Sequence, residues 1–399
     1  MSSRWMMLLV LFLARTAMGF QFQSVASVSP LLVRDLAIDL ALFGTLIGAW
    51  MLPGAVMAIP SGMLGGRFGD KRVALCGLML MVIGSALTAG ASEYLSALLG
   101  RAVSGAGAVL LNVLLAKMVA DWFGDRELAT AMGILVVSWP VGIGLALVVL
   151  GPLSVATSWS IALQTSTGVC VAAMLLVAFV YRDHAVTQET AKPLSMSRLT
   201  RKELAFASLS GAVWTFYNAA YIIVVSFAPL LLATRGLPAA NAALISSAAT
   251  WPLVISIPLG GVLADRTGRG EAIMHICFGA MAVCIPLMLM VPSPLVMLAI
   301  IGLAVGPAAG IIMALPARVL PAESRSLGMG VYYTWYYIGM AVLPGVAGWC
   351  RDVSGFAAAP LLFASSLLIA AIACAVLFRR LEIALTLRAA QPSIAADQP

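Results

Sequence analysis

The sequence predicts an all-α membrane protein, with about twelve transmembrane helices arranged as two pseudo-symmetric six-helix bundles. Three observations predict it. First, 62% of the 399 residues are hydrophobic and only 10% are charged, with a mean hydropathy of +1.04; soluble domains run at roughly 45–50% apolar and 25% charged. Such a chain needs lipid as its solvent. Second, a glycine-rich basic stretch occurs twice. Gly62-Met63-Leu64-Gly65-Gly66-Arg67-Phe68-Gly69-Asp70-Lys71-Arg72 returns as Gly261-Val262-Leu263-Ala264-Asp265-Arg266-Thr267-Gly268-Arg269, and Gly62/Gly261, Leu64/Leu263, Arg67/Arg266 and Gly69/Gly268 are each 199 residues apart, as are Pro53/Pro252 upstream. That period is too long for a solenoid and marks two halves of one membrane machine. Third, the cations gather in alternate connecting segments, as they do in multi-pass proteins.

A membrane helix needs about 20 mostly apolar residues. On that rule the first half crosses at approximately 5–28, 41–62, 73–92, 94–118, 129–150 and 160–180. The second half crosses at approximately 204–232, 241–262, 272–291, 295–316, 327–348 and 357–378. The expected organisation is therefore an amino-terminal bundle over 1–180, a linker over 181–203, a carboxy-terminal bundle over 204–378 and a tail over 379–399. The start, Arg4 followed by an apolar run, imitates a signal peptide. Cleavage is not expected, because no A-x-A site follows and the duplication needs this segment as the partner of the Trp214 region.

Placing both termini in the cytoplasm puts Arg4, the Arg67/Lys71/Arg72 and Arg266/Arg269 stretches, the linker and the tail inside, and leaves only Arg34, Arg235 and Arg351 outside. The cation bias therefore predicts a multi-pass protein of the cell (plasma or inner) membrane with both termini cytoplasmic. The net charge of +7 reads as this loop asymmetry. No polar domain large enough to hold a nucleic acid exists, so no nucleic-acid partner is expected, and the chain is expected to act as a monomer in its bilayer. The six cysteines are scattered, five of them in apolar runs, and read as packing residues. With no C-x-x-C or H-x-x-x-H spacing, neither metal nor cofactor is expected.

The repeated stretch resembles the cytoplasmic signature loop of the major facilitator superfamily, roughly G-x-L-[AG]-[DN]-R-x-G-[RK]-[RK], which joins the second and third helices of each half. The resemblance covers nearly the whole chain and implies a secondary transporter, with Gly62, Gly66, Arg67, Gly69 and Asp70, and Gly261, Asp265, Arg266 and Gly268, as gating positions. The first copy departs from the pattern, having Gly66 where the family has an acid. Asp70 is left either to make that ion pair or to cap the next helix. Arg101-Ala-Val-Ser-Gly105-Ala-Gly107 resembles the family's membrane-embedded R-x-x-x-G-x-G. Ser138-Trp139-Pro140-Val141-Gly142-Ile143-Gly144 is only partly similar to the G-P-x-x-G-G ending of drug-extruding members.

Two cations fall inside spans, Arg15 and Arg101. A charge at the centre of a membrane helix costs about 2.5–3.5 kcal/mol on the insertion scale, so neither faces lipid. At 100° per residue Arg15, Gly19 and Phe22 share a stripe, with Gln23 at its edge. The offset of 199 carries the first three onto Trp214, Asn218 and Tyr221, which share a face of the seventh span. The first and seventh helices of such a two-fold arrangement face each other across a central site. Asn112 lies some three turns beyond Arg101, and Tyr332, Tyr333, Tyr336 and Tyr337 cluster in the eleventh span. Tyrosine in a membrane interior wants a hydrogen-bond partner, which points to a wet cavity, with Tyr336 and Tyr337 the deeper pair.

The expected binding residues are therefore Arg15, Gly19, Phe22, Gln23, Arg101, Asn112, Trp214, Asn218, Tyr221, Tyr336 and Tyr337. For Arg15 and Arg101 the alternative is a structural tie to backbone carbonyls, and for the aromatic stripe it is packing. No carboxylate lies deep in any span, so these arginines lack an internal counter-ion and a substrate is left to supply it. The expectation is secondary active or facilitated transport of a small organic or inorganic anion by alternating access. The tryptophan-proline fifth span and the first-span arginine are loosely similar to those of carriers of cyanate, nitrate and carboxylates. Efflux of amphipathic drugs or metabolites is the alternative, and a transporter-like sensor a more distant one. No nucleophile constellation or nucleotide loop occurs, so no catalysis is assigned.

Overall fold

The computed structural model describes residues 3–123, 127–183, 199–291 and 293–390, and among these every regular element is helical. The first half comprises α1 (Ser3–Ser27), α2 (Ser29–Asp35), α3 (Leu40–Ala49), α4 (Gly54–Phe68), α5 (Asp70–Ala89), α6 (Tyr94–Phe123), α7 (Leu128–Ala156) and α8 (Trp159–Phe179). The second comprises α9 (Arg201–Thr234), α10 (Ala239–Ser246), α11 (Leu253–Thr267), α12 (Gly270–Met290), α13 (Leu295–Val319), α14 (Ala322–Ser354) and α15 (Ala359–Ala390). Eleven stretches among the described residues are long and apolar enough to cross a membrane. The remaining expected crossing, 327–348, lies within α14, where Tyr332, Tyr333, Trp335, Tyr336 and Tyr337 lower the hydropathy.

The repeat found in the sequence is a repeat of structure. Stepping 199 residues from α4 reproduces both bounds of α11, and the same step relates the first residues of α3 and α10. Both expected crossings, 41–62 and 241–262, are broken just before Pro53 and Pro252. These prolines take nearly identical backbone angles, φ −60° and ψ −25° against φ −62° and ψ −21°. Proline has no N–H to give to the preceding helix, so the chain turns and restarts there. A broken helix is tolerated at membrane depth where its freed backbone groups face protein or a cavity.

The signature stretches are less of a loop than their composition implies. Gly62, Gly66 and Arg67 belong to the last turns of α4, and Gly261, Asp265 and Arg266 to those of α11. The side chain of Asp265 lies outside the described residues. The turn itself is Gly69 alone in the first half and Gly268-Arg269 in the second, and its glycine stands at φ 89° and φ 62° respectively, a backbone that a Cβ would strain. Asp70 does not cap α5, whose N-cap is Gly69 without a side-chain cap. Its Oδ2 instead meets Lys117 Nζ of α6 at 2.5 Å, supplying an ion pair beside the position that Gly66 leaves uncharged.

Each half also ties the start of its first crossing to the start of its fifth, α1 to α7 and α9 to α14. Arg4 Nη2 donates to Glu127 Oε2 at 2.8 Å. In the second half Ser324 Oγ donates to Glu203 Oε1 at 2.7 Å. Glu203 closes a capping box with Thr200, so α9 begins at Arg201 rather than at the expected 204. Arg201 and Lys202 are therefore helical, while residues 184–198 of the expected linker lie outside the described residues. At the other terminus α15 continues past 378, carrying Arg379 and Glu382 into a cluster with Arg318 and Glu271. Of the expected tail, 391–399 lies outside the described residues.

Because lipid is as apolar as leucine, close contact between these helices relies on small residues. A Cβ on Gly107 would overlap the Gly77 carbonyl, and one on Gly142 the Thr16 carbonyl, fixing α5 against α6 and α1 against α7. Cys170, Cys277 and Cys284 are buried as expected, but Cys76 is exposed.

Contacts between the halves concentrate at one end. There α3 lies on α14 so closely that a Cβ on Gly44, Gly48 or Gly348 would overlap the backbone at Pro344, Ala341 or Leu40. Asp352 accepts from the first amides of α3, Leu40 N at 3.1 Å and Ala41 N at 2.7 Å. Gly151 of α7 likewise meets Ala243 of α10. This end, opposite the signature turns, is sealed.

Candidate functional site

Between the halves lies a cavity of about 210 Å³. It starts at the breaks before α4 and α11, where Trp50, Met51 and Leu253 line it. It continues toward the signature end through Arg15 of α1, Val136 of α7, Met313 of α13 and Tyr333 of α14. The seal of α3 on α14 closes it on the other side.

Arg15 is the cation of the site. Its Nε donates to Asn112 Oδ1 at 3.3 Å and its Nη1 to the Leu135 carbonyl at 2.9 Å. Those two bonds fix the plane of the guanidinium, while Nη2 makes no hydrogen bond to a described residue. Among the described residues that line the cavity there is no aspartate, glutamate or second cation. The charge of Arg15 is thus held in place by neutral acceptors and left uncompensated.

Aromatic side chains supply most of the wall. From the first half come Trp50 and Trp139, their ring centroids 5.9 Å apart. From the second come Trp214, with Tyr217 at 5.7 Å and Tyr336 at 6.1 Å, and then Tyr221, Tyr333 and Tyr337. Several of their polar ends are already engaged. Tyr217 donates to the Val305 carbonyl at 2.5 Å and Tyr221 to Thr250 Oγ1 at 3.3 Å. Asn218 Nδ2 donates to its own helix at Trp214 O, 2.8 Å.

Seven of the residues expected from sequence meet here: Arg15, Asn112, Trp214, Asn218, Tyr221, Tyr336 and Tyr337 all line the cavity. Four do not. Gly19 is where the α7 backbone approaches α1, since a Cβ there would come within 2.6 Å of Trp139 O. Phe22 lies behind the wall, its ring 5.1 Å from Trp50 and 5.3 Å from Trp139. Gln23 is buried against α9, donating to Val225 O at 3.4 Å.

Arg101 is the clearest correction. It is 2% exposed and spends its guanidinium on three carbonyls, Leu46 at 3.0 Å, Gln21 at 3.1 Å and Phe22 at 3.0 Å. It therefore ties α1 and α3 to α6 and borders only a small polar pocket with Gln21 and Ser104. In this structure the family-like spacing around it sets Arg101 among backbone carbonyls and off the cavity wall.

Trp50, Trp139, Tyr217 and Tyr333 were missed as wall residues. Trp139 had a signal, since it precedes Pro140, where a helix interior loses a hydrogen bond and bends. Trp50 had one in the Pro53 break.

The sequence profile of the Major Facilitator Superfamily matches residues 11–315 and 209–393. The chain is 25% identical over 339 residues to the inner membrane transport protein YajR of Escherichia coli (strain K12), a match covering 78% of this chain and 70% of that protein. It is 27% identical over 280 residues to the 3-(3-hydroxy-phenyl)propionate transporter of the same organism, covering 66% of each. Among solved structures, the peptide transporter POT in complex with sulfate superposes with a TM-score of 0.75 over 96% of this chain and 94% of that one, at 12% identity. That last likeness is one of fold.

Proposed function

The chain belongs to the Major Facilitator Superfamily, and from that premise of a multi-pass membrane transporter of small molecules we propose that it carries a small anion by alternating access, with Arg15 as the anion's partner. The observation that carries this reading is the Arg15 guanidinium, oriented by Asn112 and Leu135 in a cavity wall with no carboxylate among its described residues. The guanidinium is only half-buried and pairs with no described carboxylate, so a bound carboxylate or comparable oxyanion gains charge-assisted hydrogen bonds to its free Nη2 edge. The matched 3-(3-hydroxy-phenyl)propionate transporter is named for such an anion, which supports the class without fixing the compound.

With both termini on the cytoplasmic side, as the cation bias favours, the sealed end faces outward and the cavity opens to the cytoplasm. Transport then consists of separating α3 from α14 while the signature ends of the bundles close. The apolar, aromatic wall favours a second reading, efflux of amphipathic compounds. The two separate in proteoliposomes given labelled anions and cations with and without a pH gradient. Anion uptake that depends on Arg15 supports the first. Movement of cationic or neutral amphiphiles that persists in Arg15→Ala supports the second.

A further inference from the structure

We propose that the ligand of this cavity is a planar aromatic monocarboxylate, its carboxylate on the free edge of Arg15 and its ring between the tryptophan walls of the two halves. The proposal rests on the anion reading above and narrows it.

The charge count comes first. Arg15 is the one cation lining the cavity among the described residues, so one negative charge is matched. A dicarboxylate or a phosphate dianion would place a second charge against aromatic carbon with no partner.

The second argument is the state of the hydroxyls. Those of Tyr217 and Tyr221 are already bonded to Val305 and Thr250, and one N–H of the Asn218 amide is held by Trp214 O. The Trp214 indole N–H is buried without a partner and the Tyr333 and Tyr336 hydroxyls make no hydrogen bond to a described residue; a polyhydroxylated acid such as a uronate has more hydroxyls than these can meet, and each unmet group costs free energy. A flat hydrocarbon ring asks for none. What the walls do offer is π-faces: Trp50 and Trp139 on one side, Trp214 with Tyr217 and Tyr336 on the other. Rings at such spacings favour offset or tilted aromatic contact.

Size is the third argument. A dry apolar cavity of about 150 Å³ accepts benzene. The cavity here, about 210 Å³, leaves room for one ring plus a carboxylate on a short spacer. An inorganic anion such as nitrate would satisfy Arg15 and leave the aromatic walls empty.

The test uses the full chain in nanodiscs, with binding followed by calorimetry and by the fluorescence of the cavity tryptophans. The probes are benzoate, 3-phenylpropionate, cyclohexanecarboxylate, glucuronate, nitrate and benzylamine. At least one aromatic acid is expected to bind about tenfold or more tightly than glucuronate and nitrate, and cyclohexanecarboxylate more weakly than benzoate. Affinity is expected to fall about tenfold in Arg15→Ala and several-fold in Trp139→Leu and Trp214→Leu, with melting temperatures confirming that each variant is folded. Equal or tighter binding of nitrate or glucuronate, lost in Arg15→Ala, overturns the aromatic class and leaves the anion reading standing. Benzylamine binding that ignores Arg15→Ala overturns both. Aromatic-acid binding untouched by both tryptophan variants overturns the ring placement, and failure of every aromatic acid to bind at millimolar concentration overturns the proposal.

Discussion

Arg15 and Asn112 are joined across α1 and α6 by a hydrogen bond of 3.3 Å from Nε to Oδ1, and this bond helps to fix the plane of a membrane-embedded guanidinium. The sequence separated them by 97 positions; the cavity brings them to one wall. Replacing the amide by a carboxylate would supply the counter-ion that the site lacks. Asn112→Asp is therefore expected to cut anion affinity tenfold or more while melting temperature holds or rises, because a charge-assisted pair is stronger than the neutral bond it replaces. Calorimetric binding and thermal unfolding of the same preparations check it; undiminished anion binding would contradict it.

Arg101 should behave in the opposite way. Removing it leaves the Leu46 carbonyl, in the last turn of α3, without its donor, at a cost of about 1–3 kcal/mol for that group alone, and opens a void between α1, α3 and α6. Arg101→Ala is expected to lower yield and melting temperature together. A well-folded Arg101→Ala protein with altered substrate affinity would show that the residue reaches the ligand after all.

The glycine seam of α3 on α14 is the expected moving contact. Gly48→Leu puts a side chain where the Ala341 carbonyl now lies, so the sealed end can no longer shut. Transport should be lost with insertion and folding kept. With the six native cysteines replaced, a cysteine at position 221 should become labelled through the end that is closed here. Unchanged transport in Gly48→Leu would show that the seam opens and closes without needing this contact.

Topology is tested separately. Cysteines placed beside Arg34, Arg235 and Arg351 should react with an impermeant thiol reagent applied from outside, and cysteines in the 181–203 segment should not. The reverse pattern would invert the assigned orientation, and with it the side to which the cavity opens.

Much of the fold was legible because the chain is a duplication in lipid. Apolar length located eleven of the expected crossings, and the 199-residue step paired Pro53 with Pro252, but neither showed that α4 and α11 begin afresh at those prolines. What the sequence could not show was which buried face of a helix meets the cavity. Every residue from Ala14 to Ser29 except Arg15 is buried, so a 100° stripe does not separate Arg15 and Met18, which line the cavity, from Gly19 and Phe22, which meet α7 and the back of the tryptophans. The symmetry misled at the same point: Trp214, Asn218 and Tyr221 all line the cavity, whereas of their counterparts Arg15, Gly19 and Phe22 only Arg15 does. Glycine lets α7 approach α1 closely at position 19, and the Phe22 ring lies behind Trp50 and Trp139. The two embedded arginines looked alike by composition and were separated only by their acceptors, three backbone carbonyls for Arg101 against one amide and one carbonyl for Arg15.

The central claim, that Arg15 is the anion partner, is tested most directly by uptake of labelled anions into proteoliposomes carrying the wild type, Arg15→Lys or Arg15→Ala, with melting temperature measured on the same preparations. The ammonium of lysine keeps the charge but not the planar fork, so Arg15→Lys should lose much of the affinity. Arg15→Ala should lose nearly all anion transport while melting within a few degrees of the wild type, since it removes an expensive charge that packing does not need. Normal anion transport by a well-folded Arg15→Ala protein would contradict the account.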